Sequence, residues 1–411
     1  MDLQERLQSL ASLGLIKAEK KARPQKDSSL VDYLNGEVVC NSAGEYMQLQ
    51  KTYGVSYRQG NVCLSDLTGV EGKTVCFLSA TQNLQRFEVK KTIFLDTETT
   101  GLAGGSGTYP FLVGIGYFET DNFVLRQYFM RDYGEERALL HDLSEHLENY
   151  PYIVTYNGKG YDLPILKTRY ILNRIKSSLE FDGHLDLLFS ARRIWKQRVK
   201  DCSLSNLENR ILGVEREFDI PSYLIPQAYF EFLRSGEKEK IKLIVEHNAN
   251  DIVSMAALLA HLCQLLEDPN KLEEIYPEDL FSLGKSYYYA QQFDRACWCL
   301  EKASDKSKNE ELFLQSQLYL GRLFKRMAEW LKAEKVWLRV LQDYSRFSLE
   351  PYLELAKFYE HRARDYSRAL ALVEKAIDNL SASINKQVNY GLEQSLNYRK
   401  QRLLRKLGRR A

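Results

Sequence analysis

The chain has 411 residues, of which 44% are hydrophobic and 12% aromatic, and its formal net charge is only +2. This length and composition allow a large core divided between two or three domains, and they exclude a uniformly basic surface for nucleic acid. The seven cysteines form no CxxC pair and no ligand spacing with the six histidines, which favours reduced thiols over a disulfide framework or a zinc finger.

The N-terminal region, residues 1–89, suggests no chemistry. Residues 1–16 are expected to form a short amphipathic helix, and 17–26 a basic linker. Short β-prone pieces follow at 37–40, 62–64 and 74–78, interrupted by Gly and Asp. The chain does not start with a secretory pattern, and no apolar run approaches the ~18–20 residues of a membrane span, so we expect a cytoplasmic protein.

Residues 90–268 are predicted to form an α/β domain. Strands are expected at 91–98, 111–118, 123–130, 152–156 and about 184–186, with helices at 134–149 and 163–176 and further helices to about 266. Three strands in series, followed by alternating helix and strand, predict a mixed sheet flanked by helices.

The composition changes beyond Pro277 to helices rich in Leu, Ala and Tyr. Leu283-Gly284 with a downstream Ala296 is repeated as Leu320-Gly321 with Ala333, and a weaker third copy contains Ala369. A period of 36 to 37 residues between the small residues predicts tetratricopeptide-like repeats over 277–381. An ordinary helical bundle with accidental spacing is the alternative. Residues 382–411 are predicted to form a basic C-terminal helix.

Asp96 and Glu98 end the apolar strand at 91–98. Since side chains alternate across a strand, both carboxylates leave the same face of the sheet. Two like charges there repel unless a cation lies between them, and a hard ion such as Mg²⁺ suits carboxylate oxygens. A DxE pair by itself is more often a solvated strand end, but here it stands between an apolar strand and a glycine-rich turn.

Two later segments add further acids. Asp162 follows a strand end at Asn157 and a Gly-containing turn, and it opens a helix, so it is also a candidate helix N-cap. His247 and Asp251 are four residues apart on one face of a helix. An acid on that apolar stretch is costly to bury unless it is paired or bound to metal, although a solvated His–Asp pair is the alternative.

Together the three segments resemble the DEDD exonuclease superfamily, which has a ribonuclease H-like fold. Asp96 and Glu98 match the first motif within Asp96-Thr-Glu-Thr-Thr-Gly-Leu102, Asn157-(x3)-Tyr161-Asp162 the second, and Asp251 the third. With the repeat tail, the chain resembles the YprB-like group in particular. His247 lies four residues before Asp251, whereas the histidine subclass uses a spacing of five and the tyrosine subclass a spacing of four.

This resemblance implies 3′→5′ exonuclease activity, with DNA as substrate in a repair setting. Two Mg²⁺ or Mn²⁺ ions ~3.5–4 Å apart would be held by Asp96, Glu98, Asp162 and Asp251, with Asp96 bridging both. His247 would take the proton from the attacking water. The repeats are expected to bind a protein partner, for which a helicase is one candidate.

Several residues are predicted to contact the substrate: Thr97, Asn157, Tyr161, Arg192, Arg193 and Lys196. The last three belong to a basic run around Trp195 that could follow a phosphate backbone, or could be a solvated helix face with Trp195 in the core. The glycine-rich 103–107 is interpreted as a turn near the site. Asp186 and His184 are interpreted as structural residues at least as readily as functional ones.

Two other functions stay open at this point. The chain could trim RNA 3′ ends, because nothing in the sequence recognises or excludes a 2′-hydroxyl. It could also be a non-catalytic adaptor whose repeats bind a protein, although a decayed site tends to lose at least one acid. The basic C-terminal helix could serve a protein partner or the substrate path.

Overall fold

The computed structural model describes residues 28–101, 105–177, 179–382 and 386–408. The helix and linker predicted for 1–26 lie outside these residues. The chain divides into two compact units. Unit 1 contains residues up to 72, 82–186 and 212–260, and unit 2 contains 73–81, 187–211 and 261 onwards.

Unit 1 is built on a mixed seven-stranded sheet in the order β1-β2-β7-β6-β5-β8-β9. The pairs from β1 to β5 are antiparallel, whereas β5–β8 and β8–β9 are parallel, which confirms the predicted fold class. A separate two-stranded sheet is formed by β3 and β4. The strands are β1 Glu37–Asn41, β2 Gly44–Gly54, β3 Arg58–Gln59, β4 Val62–Cys63, β5 Thr92–Thr99, β6 Pro110–Glu119, β7 Asn122–Phe129, β8 Tyr152–Thr155 and β9 Gly183–Asp186.

The described residues contain sixteen α-helices. The first nine are α1 Ser28–Leu34, α2 Gly72–Ser79, α3 Glu136–Leu147, α4 Asp162–Asn173, α5 Leu187–Trp195, α6 Leu204–Leu207, α7 Ile225–Ser235, α8 Glu239–Glu267 and α9 Pro269–Glu274. The C-terminal seven are α10 Pro277–Tyr289, α11 Phe293–Lys306, α12 Glu310–Arg326, α13 Trp330–Asp343, α14 Leu349–Phe358, α15 Tyr366–Ala382 and α16 Lys386–Gly408.

Two segments of the N-terminal region differ from the sequence-based expectation. Strands β1 and β2 lie outside the α/β domain predicted for 90–268, yet they belong to the same sheet, because β2 pairs with β7 from Met47 to Gly54. Residues 74–78, predicted to be β-prone, lie in helix α2, where Thr74, Val75, Cys76 and Leu78 are buried. A short apolar run does not distinguish a buried helix from a strand by periodicity.

Helix α8 runs through the core with an apolar composition. An 18-residue window of this helix has a mean hydropathy of 1.4, so its length and composition would also suit a membrane span, although no span is predicted from the sequence. However, 72% of that window is buried inside the protein, as is expected for the central helix of a folded core. Glycines on β6 allow α8 to lie close to the sheet, since a Cβ at Gly116 would overlap the side chain of Ile252.

The C-terminal helices of unit 2 pack in consecutive pairs, and small residues lie where the helices meet. A Cβ on Gly284 would lie 2.7 Å from Leu300 Cγ, and one on Gly321 would lie 2.8 Å from Trp337 Cδ1. Ala296, Ala333 and Ala369, which define the sequence period, are fully buried. This packing explains why small residues recur there, while the assignment as tetratricopeptide repeats stays a prediction.

The cations of the last helix are largely engaged within unit 2. Arg399, Arg402 and Lys406 on α16 all bond the carboxylate of Glu360, whose side chain is completely buried. Lys400 pairs with Glu374 on α15 at 2.8 Å. The sequence allowed this basic helix to serve a protein partner or the substrate path, but these four cations hold the helix against its own domain.

Candidate active site

Strand β5 carries the first acid pair. Asp96 and Glu98 lie at its C-terminal end, and the register with β6 shifts between Glu98 and Thr99, which marks a β-bulge. A bulge ends regular pairing and redirects the strand, and bulges are common beside functional sites. The two carboxylates therefore leave the sheet where its ladder is interrupted.

Thr97, between these acids, fixes the position of a third. Its backbone N–H and its hydroxyl both donate to Asp162 Oδ1, at 3.1 and 2.5 Å. Asp162 is buried and is the first residue of α4, while Tyr161 takes the N-cap position. Asp162 is thus not the N-cap that the sequence allowed, and Thr97 contacts a site acid.

The turn before α4 is held by Asp186 at the end of β9. Its carboxylate accepts the backbone N–H groups of Asn157, at 2.8 Å, and Lys159, at 3.1 Å. Asn157 has a φ of +67°, a left-handed conformation that asparagine tolerates better than most residues. Asp186 therefore has a structural role. His184 has one too, because its Nε2 lies 2.8 Å from Thr155 Oγ1 and burial lowers its pKa to about 3.

The loop after β5 is tied to α4 at two points. The Tyr161 hydroxyl donates to the carbonyl of Gly101 at 2.5 Å and lies 2.7 Å from Thr99 Oγ1. Arg169 donates to the carbonyl of Ser106 at 2.7 Å. Within the predicted glycine-rich turn, residues 105–107 are described, and Gly105 accepts the N–H of Thr108. Tyr161, predicted to contact substrate, thus positions a loop beside the acids.

Asn248 on α8 bonds two residues of the sheet, one of which is the first acid. Its Nδ2 donates to Asp96 Oδ2 at 2.8 Å, and its Oδ1 accepts from Gln127 at 2.8 Å. Asp96, Gly114 and Gln127 are partners across β5, β6 and β7, so Asn248 spans this row above Gly114. A Cβ on Gly114 would lie 2.9 Å from Asn248 Cγ, so this bridge requires glycine in the middle strand.

His247, the preceding residue, is held through one ring nitrogen and faces the acids with the other. Its Nδ1 lies 2.6 Å from Asp219 Oδ1, while its Nε2 lies 3.6 Å from Asp251 Oδ2 and 3.9 Å from Glu98 Oε1. Burial lowers the pKa of His247, but the hydrogen bond with Asp219 and the charges of Asp251 and Asp219 outweigh burial and raise the pKa above 6.5.

Arg216 completes this network. Its guanidinium bonds Asp251 Oδ1 through Nη2, and Nη1 lies 3.1 Å from Asp219 Oδ2 and 3.2 Å from His247 Nδ1. The arginine side chain is only 8% exposed. It therefore fixes Asp251 and Asp219 on either side of the imidazole.

The acids perturb one another strongly. Burial, followed by the charges of Asp251 and Asp162, raises the pKa of Asp96 well above its ordinary value. Burial and then the charge of Asp96 do the same to the pKa of Glu98, and burial raises the pKa of Asp162 to about 6. The ionised cluster is thus poorly stabilised without a further positive charge.

The donor set suits a divalent cation. Glu98, His247 and Asp251 each present a ligand atom, and the three atoms lie within 4.8 Å of one another. Carboxylate oxygens suit Mg²⁺ or Mn²⁺. These atoms open into a cleft lined by Asp96, Thr97, Glu98, Thr99, Tyr161, Ser222, Ile225, Pro226, His247 and Asp251.

The predicted basic run belongs to unit 2, whereas the acids belong to unit 1. Arg193 donates to the backbone carbonyls of Phe77 and Leu78, and Trp195 is buried, so both are structural. Arg192 on this helix and Lys196, the residue after its end, are exposed. Trp195 thus lies in the core, as one of the two interpretations expected, and contact of Arg192 and Lys196 with a substrate stays a prediction.

Sequence reasoning missed four contributors: Gln127, Arg216, Asp219 and Asn248. Arg216 and Asp219 lie between α6 and α7 in a segment without regular secondary structure, so no periodicity marked them. Asn248 adjoins His247 inside the quoted motif, and only its contacts reveal its role.

Three comparisons place the chain among known proteins. Residues 93–263 match the RNase_H superfamily model, which spans β5 to most of α8. The chain is 30% identical over 348 residues to "Uncharacterized protein YprB" of Bacillus subtilis (strain 168), covering 84% of this chain and 83% of that protein. A family B DNA polymerase from Pyrobaculum calidifontis aligns at a TM-score of 0.33 and 14% identity, over 48% of this chain and 29% of the polymerase. At that TM-score the likeness supports no inference.

Proposed function

Because this chain belongs to the family of Bacillus subtilis YprB and contains an RNase_H superfamily domain, we propose that it is a metal-dependent nuclease that hydrolyses phosphodiester bonds. One observation carries the proposal. Acids from a strand end and the middle of α8 line one cleft together with a histidine, and the acid at the start of α4 bonds Thr97 between the two strand acids. The 3′→5′ direction, the DNA substrate and the repair setting are supported by the resemblance of the three motifs to DEDD exonucleases.

Asp96, Glu98, Asp162 and Asp251 would hold two Mg²⁺ or Mn²⁺ ions, since their mutual repulsion favours cation binding. When bound, such ions stabilise negative charge on the phosphate and lower the pKa of water. The protein's own contribution is a prearranged set of oxygens. Thr97 orients Asp162 and Asn248 orients Asp96, so neither carboxylate needs to reorganise when a cation arrives.

His247 is proposed to accept the proton of the attacking water at Nε2. Asp219 accepts a hydrogen bond from Nδ1–H, which leaves Nε2 unprotonated in the neutral ring and directed at the acids. Arg216 bonds both Asp219 and Asp251 and so holds each carboxylate at its own ring nitrogen of His247. This arrangement gives His247 the geometry of a general base although its spacing from Asp251 departs from the histidine subclass.

The test compares wild type with Asp96→Ala on 3′- and 5′-labelled single strands of DNA and RNA, with EDTA, Mg²⁺ or Mn²⁺. We expect cleavage that requires metal, a ladder that shortens from the 3′ end, and loss of at least ~10³-fold activity in the variant. Asp121→Ala, which removes an exposed acid from the turn between β6 and β7, is the matched control.

Each outcome assigns a function. Cleavage by Asp96→Ala at the wild-type rate, or no cleavage by wild type with any metal, contradicts the proposed nuclease and favours the adaptor. Preference for RNA over DNA favours the RNA-trimming alternative, and a ladder from the 5′ end contradicts the proposed direction.

A further inference from the structure

A buried arginine bonds one of the acids that line the cleft. The Arg216 side chain is only 8% exposed; its Nη2 bonds Asp251 Oδ1, and its Nη1 lies 3.1 Å from Asp219 Oδ2. A guanidinium does not lose its proton in proteins, so this positive charge is permanent. It repels any cation that approaches the acids, and it repels all divalent ions alike because they have the same charge. Arg216 can therefore distinguish one divalent ion from another only through what it does to the carboxylates.

The two oxygens of Asp251 face different groups. Oδ1 bonds Arg216, whereas Oδ2 lies 3.6 Å from His247 Nε2. Glu98 Oε1 lies 3.9 Å from the same nitrogen, so Oδ2 is on the side of the groups that could share a cation with Asp251. A cation bound to both oxygens would lie beside the guanidinium. Arg216 thus leaves Asp251 a single oxygen to offer.

A single oxygen from a carboxylate suits a small ion better than a large one. Mg²⁺ requires near-ideal octahedral geometry at about 2.0–2.1 Å and is usually bound through one or two carboxylates with several waters. Ca²⁺ takes about six to eight oxygens at about 2.3–2.6 Å and often uses both oxygens of a carboxylate. Restricting Asp251 to one oxygen therefore removes a ligand that Ca²⁺ would use and that Mg²⁺ or Mn²⁺ would not need.

We propose that Arg216 determines which cation the acid site accepts, by holding Asp251 to one oxygen and so selecting Mg²⁺ or Mn²⁺ against Ca²⁺. This inference rests on the proposed nuclease function, because it concerns the ions that the acids of that site would hold. Arg216 is a positioning residue, since it acts through Asp251. Its charge repels all divalent ions alike, so its effect should appear in the ratio of two metal affinities.

The experiment measures the dissociation constants of Mn²⁺ and Ca²⁺ for the metal-free full chain by isothermal titration calorimetry, without nucleic acid. Asp96→Ala, which removes a proposed metal ligand, identifies the heat that belongs to the site. In wild type, Ca²⁺ should bind more weakly than Mn²⁺ by about tenfold or more. Removing a residue that orients a ligand changes metal affinity by ~10–100-fold, so Arg216→Ala should lower the ratio of the Ca²⁺ to the Mn²⁺ dissociation constant by about tenfold or more. Arg216→Lys keeps a positive charge and an N–H donor for Oδ1, so it should restore the wild-type ratio.

Arg234→Ala is the matched control, because Arg234 is exposed on α7 in unit 1 and its Nε bonds a carbonyl of its own helix. Its ratio should equal that of wild type. An unchanged ratio in Arg216→Ala overturns the inference, as does a ratio in Arg216→Lys equal to that of Arg216→Ala. Wild type that binds Ca²⁺ as tightly as Mn²⁺ also overturns it, and this result requires no variant to fold.

Cleavage of labelled strands by the same preparations with Mn²⁺ separates this inference from the proposed nuclease. Wild type that selects Mn²⁺ over Ca²⁺ through Arg216 but cleaves no strand refutes the nuclease and supports the ion selection. Wild type that cleaves, with an unchanged ratio in Arg216→Ala, refutes the ion selection alone. Wild type that binds neither ion refutes both.

Discussion

Substitution Asp219→Asn tests how the histidine is prepared for catalysis. The substitution keeps the side-chain size but replaces one carboxylate oxygen with an NH₂ group. Asp219 Oδ1 faces His247 Nδ1 at 2.6 Å, and Oδ2 faces Arg216 Nη1 at 3.1 Å. Since Arg216 only donates hydrogen bonds, the new amide must turn its oxygen toward Arg216 and its NH₂ toward His247. Nδ1 then becomes the acceptor, and the proton of the neutral ring moves to Nε2.

The expected magnitude follows from that change of tautomer. With Nε2 protonated, His247 cannot accept a proton from water on the side of Glu98 and Asp251. A positioned general base contributes ~10²–10⁴-fold, so kcat should fall by that factor while KM stays within about twofold. His247→Ala should lose a similar factor, and the double variant should lose no more than either single variant, because both changes remove one function.

The pH dependence should change as well. Only the neutral imidazole accepts a proton, so the rate rises with pH through the pKa of His247, which lies above 6.5 in the wild type. Burial alone would lower this pKa, and Asp219 is a main cause of its elevation. The rising limb of the variant should therefore appear at lower pH than that of the wild type. This direction separates a change in the imidazole from a general loss of fold.

The assay is single-turnover cleavage of a labelled single strand at saturating Mg²⁺ or Mn²⁺, from pH 5.5 to 9, with circular dichroism as the check on folding. Asp121→Asn is the control for an amide substitution at an exposed aspartate. A rate for Asp219→Asn within threefold of wild type would refute the reasoning. So would multiplicative losses in the double variant, because they would mean that the two residues act independently.

Two further substitutions test the supporting structure. Gly114→Ala places a Cβ against the Asn248 side chain above Asp96, so the free energy of unfolding should fall by about 1–3 kcal/mol and the cleavage rate should fall as well. Gly54→Ala is the control, because its site has room for a methyl group, and it should change neither quantity. Equal melting curves for the two variants would contradict this packing. Glu360→Gln leaves the cations of α16 without their buried carboxylate. The pKa of Glu360 lies near 2, against the ordinary 4.5, because Arg402 and Lys406 outweigh the effect of burial. Ionised Glu360 contributes about 2–3 kcal/mol to the free energy of unfolding above pH 4.5, and this contribution is lost as the pH falls toward 2. Thermal melting followed over this pH range should therefore show the loss in wild type and not in Glu360→Gln.

The fold class and the acid positions follow from local patterns. An apolar strand that ends in Asp96 and Glu98 must place both carboxylates on one face, because side chains alternate across any strand. Likewise, the Gly-containing turn before Asp162 predicted a helix start there, and a spacing of four residues places His247 and Asp251 on one helical face. Strand order at the centre of the sheet was predictable because consecutive antiparallel strands tend to be neighbours.

Other features depend on contacts between distant parts of the chain. Residues 37–54 extend the sheet only because β2 finds β7, which no local pattern specifies. The basic residues of α5 and α16 looked alike in sequence as cations available to ligands, yet Arg193 bonds backbone carbonyls and Arg402 bonds a buried glutamate. Whether a charge faces solvent or a partner is decided by what packs against it.

The sequence by itself therefore indicated the α/β class and the positions of the four acids and the histidine, since these rest on periodicity and short spacings. Only the tertiary structure assigned Asp219 and Arg216 to His247 and Asp251, because a segment without periodicity takes its position from the surfaces that it contacts. It also showed that Asn248 can reach Asp96 because the facing strand has glycine at 114. These contacts join residues 28, 35 and 152 positions apart, and their energy depends on distance and burial, which a linear pattern does not contain.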